Sequence, residues 1–541
     1  MCADVDSRPL FANRIIEPRN VRNCSLSNLT QRSDHCANSA EARECGPTCA
    51  HQSKKGNDMS RTEMMLAPSS VPNADPIYYK DATELASLIR AKQLSSREVV
   101  QAHLDRIQNI NPKVNAIVTL LAEDALKSAD AADHAVKNRE ALGPLHGVPF
   151  TIKDAIDTAG VLTQRGSKIF SGNIPEKDAS VVTRFKAAGA IPLAKTNLPE
   201  FSAWQETDNL VTGLSRNPWN LKRTPGGSSG GESAAIAAGL SPIGIGSDLA
   251  ISVRGPAALT GIVGLKATHG RIPYTGHWPE VLNRYFHIGP LARSVRDIAT
   301  AFSIMQGPDG LDGLAIHAKS AEPADAPIAG RALRVGWLVE PGFGPVDREV
   351  AVAVADAATL LKGFGCDVEQ VRIPLLEQNN YFDPAITLYG AELGRYVRRF
   401  VGDREAELHY IGKIYVTSPD PSLGEYIDAE IKVDKLKGAF AGYFQKYDVL
   451  LCPVIPFTAP LPGLEEYVVN GEKVPSTHMM RATVPFNLAG LPALSVPFTF
   501  SSEQLPINVQ LVSRWLDEAT ILRLGSMVEA GNKTQHRHPN L

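Results

Sequence analysis

From Asp81 onward, apolar residues recur at the three-to-four-residue spacing of helices that bury one face. "DATELASLIRAK" places Leu85, Leu88 and Ile89 together behind an Asp-x-x-Glu start signal. "SSREVVQAHLDRIQNI" places Val99, Val100, Leu104 and Ile107 inward behind Ser95 and Glu98. Both are expected to buttress a core. After Pro144 the pattern shortens into apolar runs bounded by glycine and proline: "HGVPFTIKD", "AIPLAKTN", "SPIGIGSD" and "GIVGLKAT". These alternate with helical stretches such as "DASVVTRFKAAG" and "GESAAIAAG", which predicts an α/β fold with a central sheet covered by helices on both faces. Residues 375–447 read as mainly helical, one wall of a cleft. "YDVLLCPVIPF" and "LPALSVPFTF" read as returning strands, and "DEATILRLGSMVEAG" as a last helix.

The first 60 residues break this pattern: polar, weakly periodic, and holding Cys2, Cys24, Cys36, Cys45 and Cys49 of the chain's 7 cysteines. The stretch reads as a disordered N-terminal extension over 1–70, followed by a single domain over 71–541. The alternative is a small zinc site from Cys45-x3-Cys49 with Cys24, Cys36, His35 or His51, but its spacing is irregular and its ligand set incomplete. Arg8, Arg14, Arg19 and Arg22 hint at a transit peptide; Asp4, Asp6 and Glu17 argue against one, and no apolar segment suits secretion. Met59 and Met64 offer alternative starts. The other thiols, Cys366 and Cys452, suggest a reducing, cytoplasmic setting without a disulfide framework.

The 541 residues, 43% apolar and 21% charged, suffice for a large core. A formal net charge of −3 gives no reason to expect nucleic acid as a partner, and no apolar run of membrane-spanning length occurs.

One stretch resists a purely structural reading. "PGGSSGGE" at 225–232 wedges two serines between glycine pairs, directly before a helix-forming segment. Gly226 to Gly230 formally fits Gly-x-Ser-x-Gly, the nucleophile elbow of α/β-hydrolases. That motif needs an apolar strand leading in, and here "NLKRTP" leads in. A phosphate loop fails because no Gly-Lys-Ser/Thr follows. Two other places supply the missing chemistry. Lys153 ends an apolar strand after Phe150, Thr151 and Ile152, where desolvation lowers an amine's pKa and makes it usable as a base. Ser252 sits among small and apolar residues in "GSDLAISVRGPAALTG".

Together with "GPLHGVPFTIKD", "AKTNLPEFS", "RNPWN", "RTPGGSSGGESAAIAAG" and "NLAGLPALSVP", in order and over about residues 80–525, these segments resemble the amidase signature family of serine hydrolases. The resemblance implies a mixed, twisted sheet in one domain and a Ser–cis-Ser–Lys triad: Lys153 as base, Ser228 as bridging serine, Ser252 as acylated nucleophile. Gly227 removes a side chain that would clash at the cis bond. Ser202 aligns with a position lining the acyl pocket, with Trp204 nearby, and Ser228 also borders the substrate. The backbone N–H groups of Leu249, Ala250, Ile251 and Ser252 would form the oxyanion hole. Ala250 and Ile251 stand where the family usually has two glycines, so the loop is expected to avoid positive φ and to narrow the acyl site. Asp248 and Arg254 would fix its shape.

The implied function is hydrolysis of a linear carboxylic amide, with esters or carbamates as further substrates, without metal or cofactor. No histidine is required; His146, His269 and His277 read as structural, His277 also as a pocket residue. The alternatives are the amidase subunit of a glutamine-dependent amidotransferase and a catalytically degenerate binding scaffold. The expected partner is a small-molecule amide, and a homodimer is left open.

Overall fold

Among the described residues the chain forms 13 strands. They are β1 (Ile117–Leu120), β2 (Pro149–Lys153), β3 (Ile191–Thr196), β4 (Ile243–Asp248), β5 (Val263–Lys266), β6 (His287–Ala292), β7 (Arg334–Trp337), β8 (Asp367–Gln370), β9 (Val449–Pro453), β10 (Glu466–Val469), β11 (Glu472–Pro475), β12 (Ala493–Phe500) and β13 (Pro506–Ser513). The computed structural model describes residues 75–318, 331–532 and 537–541, which belong to one compact unit, Pro72–Leu541. The extension expected over 1–70, with its cysteines, Met59 and Met64, lies outside the described residues.

Eleven strands make one mixed sheet, in the order β1-β3-β2-β4-β6-β5-β12-β13-β9-β7-β8, and β10 and β11 form a separate hairpin. Every residue of β2, β4, β6, β9 and β13 is buried. Successive strand side chains point to opposite faces, so both faces of the sheet's middle are covered. This is the expected α/β architecture.

The four apolar runs after Pro144 become β2, β3, β4 and β5, and the two returning runs become β9 and β12. Helices fill most of Pro374–Lys446, and the last helix spans Glu518–Gly531. In the second helix, Ser96–Val114, the expected capping box forms: Glu98 N–H donates to Ser95 Oγ, and Ser95 N–H to Glu98. The first helix, Ala82–Arg90, is capped differently from the sequence expectation. The Asp81 side chain makes no cap bond, and Asp297, distant in sequence, accepts from the N–H groups of Ala82 and Thr83 at 2.6 and 2.9 Å. The orphan N–H groups are satisfied by tertiary contact.

For function the decisive feature is the parallel pair β2–β4, with Thr151 opposite Gly244 and Ile152 opposite Ile245. Both strands end side by side, Lys153 closing one and Asp248 the other. The C-terminal edge of parallel strands is where open α/β sheets place their ligands.

Candidate active site

Lys153 is fully buried, and its Nζ lies 2.6 Å from Ser228 Oγ and 3.0 Å from Ser247 Oγ. Burial pushes this amine down to about 7; the Asp248 and Glu232 carboxylates offset only part of that. An amine with such a pKa is neutral in a large fraction of molecules near neutral pH, which a base requires.

Ser228 follows a cis peptide bond from Gly227. A Cβ on Gly227 would stand 2.7–2.8 Å from the backbone of Gln205 and Glu206, so only glycine lets the turn pass this close. Thr207 clamps the turn, donating to the Gly226 carbonyl at 2.8 Å and accepting from Gly230 N–H at 3.2 Å. Ser229 supports it: its hydroxyl meets the Ser247 backbone N–H and carbonyl, each at 3.3 Å, and its N–H donates to the Ser252 carbonyl at 3.2 Å. The structure therefore brings Lys153, Ser228 and the Ser252 loop to one place. Ser252 itself is 5% exposed, the one member of the three that solvent reaches.

The loop after β4 is held by Asp248 and Arg254, both fully buried and paired at 3.0 Å. Burial works against the Asp248 carboxylate, but the Arg254 guanidinium and the Asn487 amide hold it well below the usual carboxylate range. Asp248 also accepts from the N–H groups of Val253 and Arg254 at 3.1 and 3.3 Å. Arg254 reaches on to Gln510 at 2.9 Å and to Asn487. Among the described residues the N–H groups of Ala250, Ile251 and Ser252 meet no protein acceptor. The same holds for the N–H of Leu249, and neither Ala250 nor Ile251 has positive φ, so this loop keeps four consecutive donors without protein acceptors and without glycine dihedrals. Ile251 departs from expectation in one respect. Its side chain joins the core, where a Cβ on Gly255 would meet it at 2.3 Å, leaving Ala250 as the partly exposed member of the pair.

Ser202 is buried with φ +58°, and among the described residues its hydroxyl meets no hydrogen-bond partner. Trp204 lines a cavity of 370 Å³ with Ile386, Ile411, Ile414 and Tyr415. His146 and His269 bond backbone carbonyls of Ala132 and Asn283 through Nε2, at 3.0 and 2.8 Å. His277 packs against Tyr274 and Phe286 with both nitrogens buried, and burial pushes it well below the ordinary histidine value. Among the described residues no cluster of histidine, cysteine, aspartate and glutamate suits a metal ion, and no helix is long and apolar enough to cross a membrane.

Ser247, Glu232 and Asn487 were not singled out from the sequence. Ser247 carried a signal, a hydroxyl between the glycines and Asp248 of an otherwise apolar strand. Glu232 is fully buried and accepts from the Thr151 and Thr196 hydroxyls, the latter at 2.8 Å; burial raises its carboxyl. Its sequence context, the start of a helix, resembles any capping glutamate.

The C-terminal end of the parallel strands thus gathers a buried lysine hydrogen-bonded to two serine hydroxyls and a loop whose N–H groups meet no protein acceptor among the described residues. The chain belongs to the amidase family, whose model, described as Amidase, matches residues 98–522. It is 34% identical to the A-subunit of the glutamyl-tRNA(Gln) amidotransferase of Carboxydothermus hydrogenoformans over 86% of this chain and 100% of that one. With the corresponding protein of Acidothermus cellulolyticus the identity is 36%, over 83% and 94%. Among solved structures it superposes on 6-aminohexanoate cyclic dimer hydrolase with TM-score 0.77 and 30% identity, covering 86% of this chain and 99% of that one. With a bacterial aryl acylamidase of the amidase signature family the TM-score is 0.76 at 26% identity, covering 84% of this chain.

Proposed function

We propose that this chain hydrolyses a linear carboxylic amide through an acyl-enzyme on Ser252. The observation that carries the reading is the buried Lys153 amine 2.6 Å from Ser228 Oγ, beside the loop that bears Ser252. Neutral Lys153 takes the Ser228 proton while Ser228 takes that of Ser252, whose Oγ bonds to the substrate carbonyl carbon. The C–N bond then breaks, and the proton returns through Ser228 to the departing amine. Water repeats the cycle on the ester, releasing the acid and restoring Ser252. The N–H groups of the 249–252 loop stabilise the oxyanion in both halves. No step calls for a metal or cofactor. The reaction suits a small-molecule amide in a reducing, cytoplasmic setting.

A second reading, the amidase subunit of a glutamine-dependent amidotransferase, is favoured by the names of the curated relatives over a free-standing hydrolase. Under it the chain works beside other polypeptides of a complex, and the amide is that of glutamine. The structure of 6-aminohexanoate cyclic dimer hydrolase superposes on the chain at TM-score 0.77, against 0.67 for the glutamyl-tRNA(Gln) amidotransferase protein of Thermotoga maritima. The test is turnover by the purified chain alone. A panel of aliphatic and aryl amides, an ester, a carbamate and glutamine should give hydrolysis of at least one non-glutamine amide. Activity on glutamine alone would favour the amidotransferase reading. Failure to react with any substrate or with a fluorophosphonate would leave a degenerate scaffold as the answer.

A further inference from the structure

From Asp248 to Ser252 every backbone carbonyl is held. Asn487 Nδ2 donates to Asp248 O at 3.2 Å, Tyr389 Oη to Leu249 O at 3.0 Å and Arg254 Nη2 to Ala250 O at 3.4 Å. Backbone N–H groups of Gly255 and Ser229 take the carbonyls of Ile251 and Ser252 at 2.7 and 3.2 Å. These peptide bonds are trans, so each carbonyl points opposite to the N–H of the next residue in the same planar unit. Anchoring a carbonyl on one side of the loop therefore aims an N–H to the other. Asn487 and Arg254 also grip the Asp248 carboxylate, which makes them part of the ion-pair core. Tyr389 is different. It comes from the helical wall, as the last residue of the helix Phe382–Tyr389, just before a π-turn at Gly390–Gly394.

We propose that Tyr389 is a positioning residue for the oxyanion-binding loop: its hydroxyl, on the Leu249 carbonyl, sets the 249–250 peptide so that the Ala250 N–H faces the reacting carbonyl. This rests on the reading of Ser252 as nucleophile. Tyr389 is 4% exposed, and its ring lies 5.9 Å from that of Tyr285, so packing fixes where the hydroxyl stands. Burial keeps the phenol protonated well above its ordinary range, so it remains a donor at any working pH. A peptide plane is free to tilt when its carbonyl loses an anchor, and a hole with one tilted donor stabilises the developing oxyanion less while binding the neutral ground state almost as before.

The experiment compares wild type, Tyr389→Phe and Tyr389→Met on p-nitrophenyl acetate and p-nitroacetanilide, and in their rates of inactivation by a fluorophosphonate, whose phosphoryl oxygen occupies the hole. Both variants should lose about 10- to 100-fold in kcat with KM within about threefold, less than the 10²–10³ lost when a hole donor is removed outright. The inactivation rate constant should fall in parallel, and Tyr389→Phe should keep the wild-type melting temperature within a few degrees. Unchanged kcat in Tyr389→Phe overturns the proposal, as does a loss confined to Tyr389→Met, which would make packing the cause. A rise in KM alone overturns it too. Peptide mapping of the wild-type adduct separates the two levels: label on Ser252 with unchanged kcat in Tyr389→Phe sinks only the role of Tyr389, while wild type unlabelled at Ser252 sinks the underlying reading with it.

Discussion

Lys153 is a fully buried amine whose hydrogen-bond partners are two serine hydroxyls rather than a carboxylate, the arrangement on which the proposed reaction rests. In the proposed reaction the neutral amine is the working form, and burial pushes it down to about 7, so kcat/KM should rise about tenfold per pH unit below 7 and level off above it. A flat profile from pH 5 to 9 would contradict this. Lys153→Met should lower turnover by roughly 10³-fold or more, since members of such a unit fail together. The sign for stability runs the other way. The folded pKa lies below the ordinary 10.5, so the unfolded chain binds more protons between about pH 7 and 10.5. The cost of burying Lys153 is therefore full below pH 7 and fades toward 10.5. Lys153→Met should melt no lower than wild type at pH 7, and its relative advantage should shrink at pH 10.

At the scale of elements, the loop after β4 divides labour between its side chains and its backbone. Ile251 packs in the core against Gly255, while Ala250 stays partly exposed. Ile251→Gly should therefore cost about 2–5 kcal/mol of stability, as other large-to-small core changes do, read as a fall in denaturation midpoint. Ala250→Gly should leave stability nearly unchanged and admit bulkier acyl groups, with about tenfold or less, about 1.4 kcal/mol, on small amides. Gains of about a thousandfold on every substrate alike, far above that 1.4 kcal/mol range, would mean the native hole is defective. Sequence reasoning reached this loop's residues, the absence of positive φ and the Asp248–Arg254 brace. It missed the inward turn of Ile251, because which side chain points to the core depends on Gly255, one turn further on. It missed Tyr389 because a tyrosine on an amphipathic helix looks like any core aromatic until the partner carbonyl is known. The cap of Ala82–Arg90 was misread for a similar reason: Asp81-x-x-Glu is a local signal, and Asp297 outcompetes it from across the fold.

At the scale of the molecule, the apolar runs that sequence reading recognised are those punctuated by glycine and proline. β1, β6, β7, β8, β13 and the β10–β11 hairpin escaped it; β13 interleaves Asn508 and Gln510 with its apolar residues, and both are buried by side-chain hydrogen bonds that no periodicity reveals. The compact unit begins at Pro72 and the family match at 98, so a chain starting at Pro72 should keep the activity and melting temperature of the full protein. Stoichiometric zinc in the full chain, lost together with stability on truncation, would contradict that and revive the cysteine cluster as a site. The proposed mechanism stands or falls on which hydroxyl is acylated. The measurement that decides it is tandem mass spectrometry of peptides from the protein labelled with a fluorophosphonate. The label should sit on Ser252 in wild type and be absent from Ser252→Ala, with labelling strongly slowed in Lys153→Met. A label on Ser228, the position of the rejected nucleophile elbow, or undiminished labelling in Lys153→Met, would contradict the mechanism.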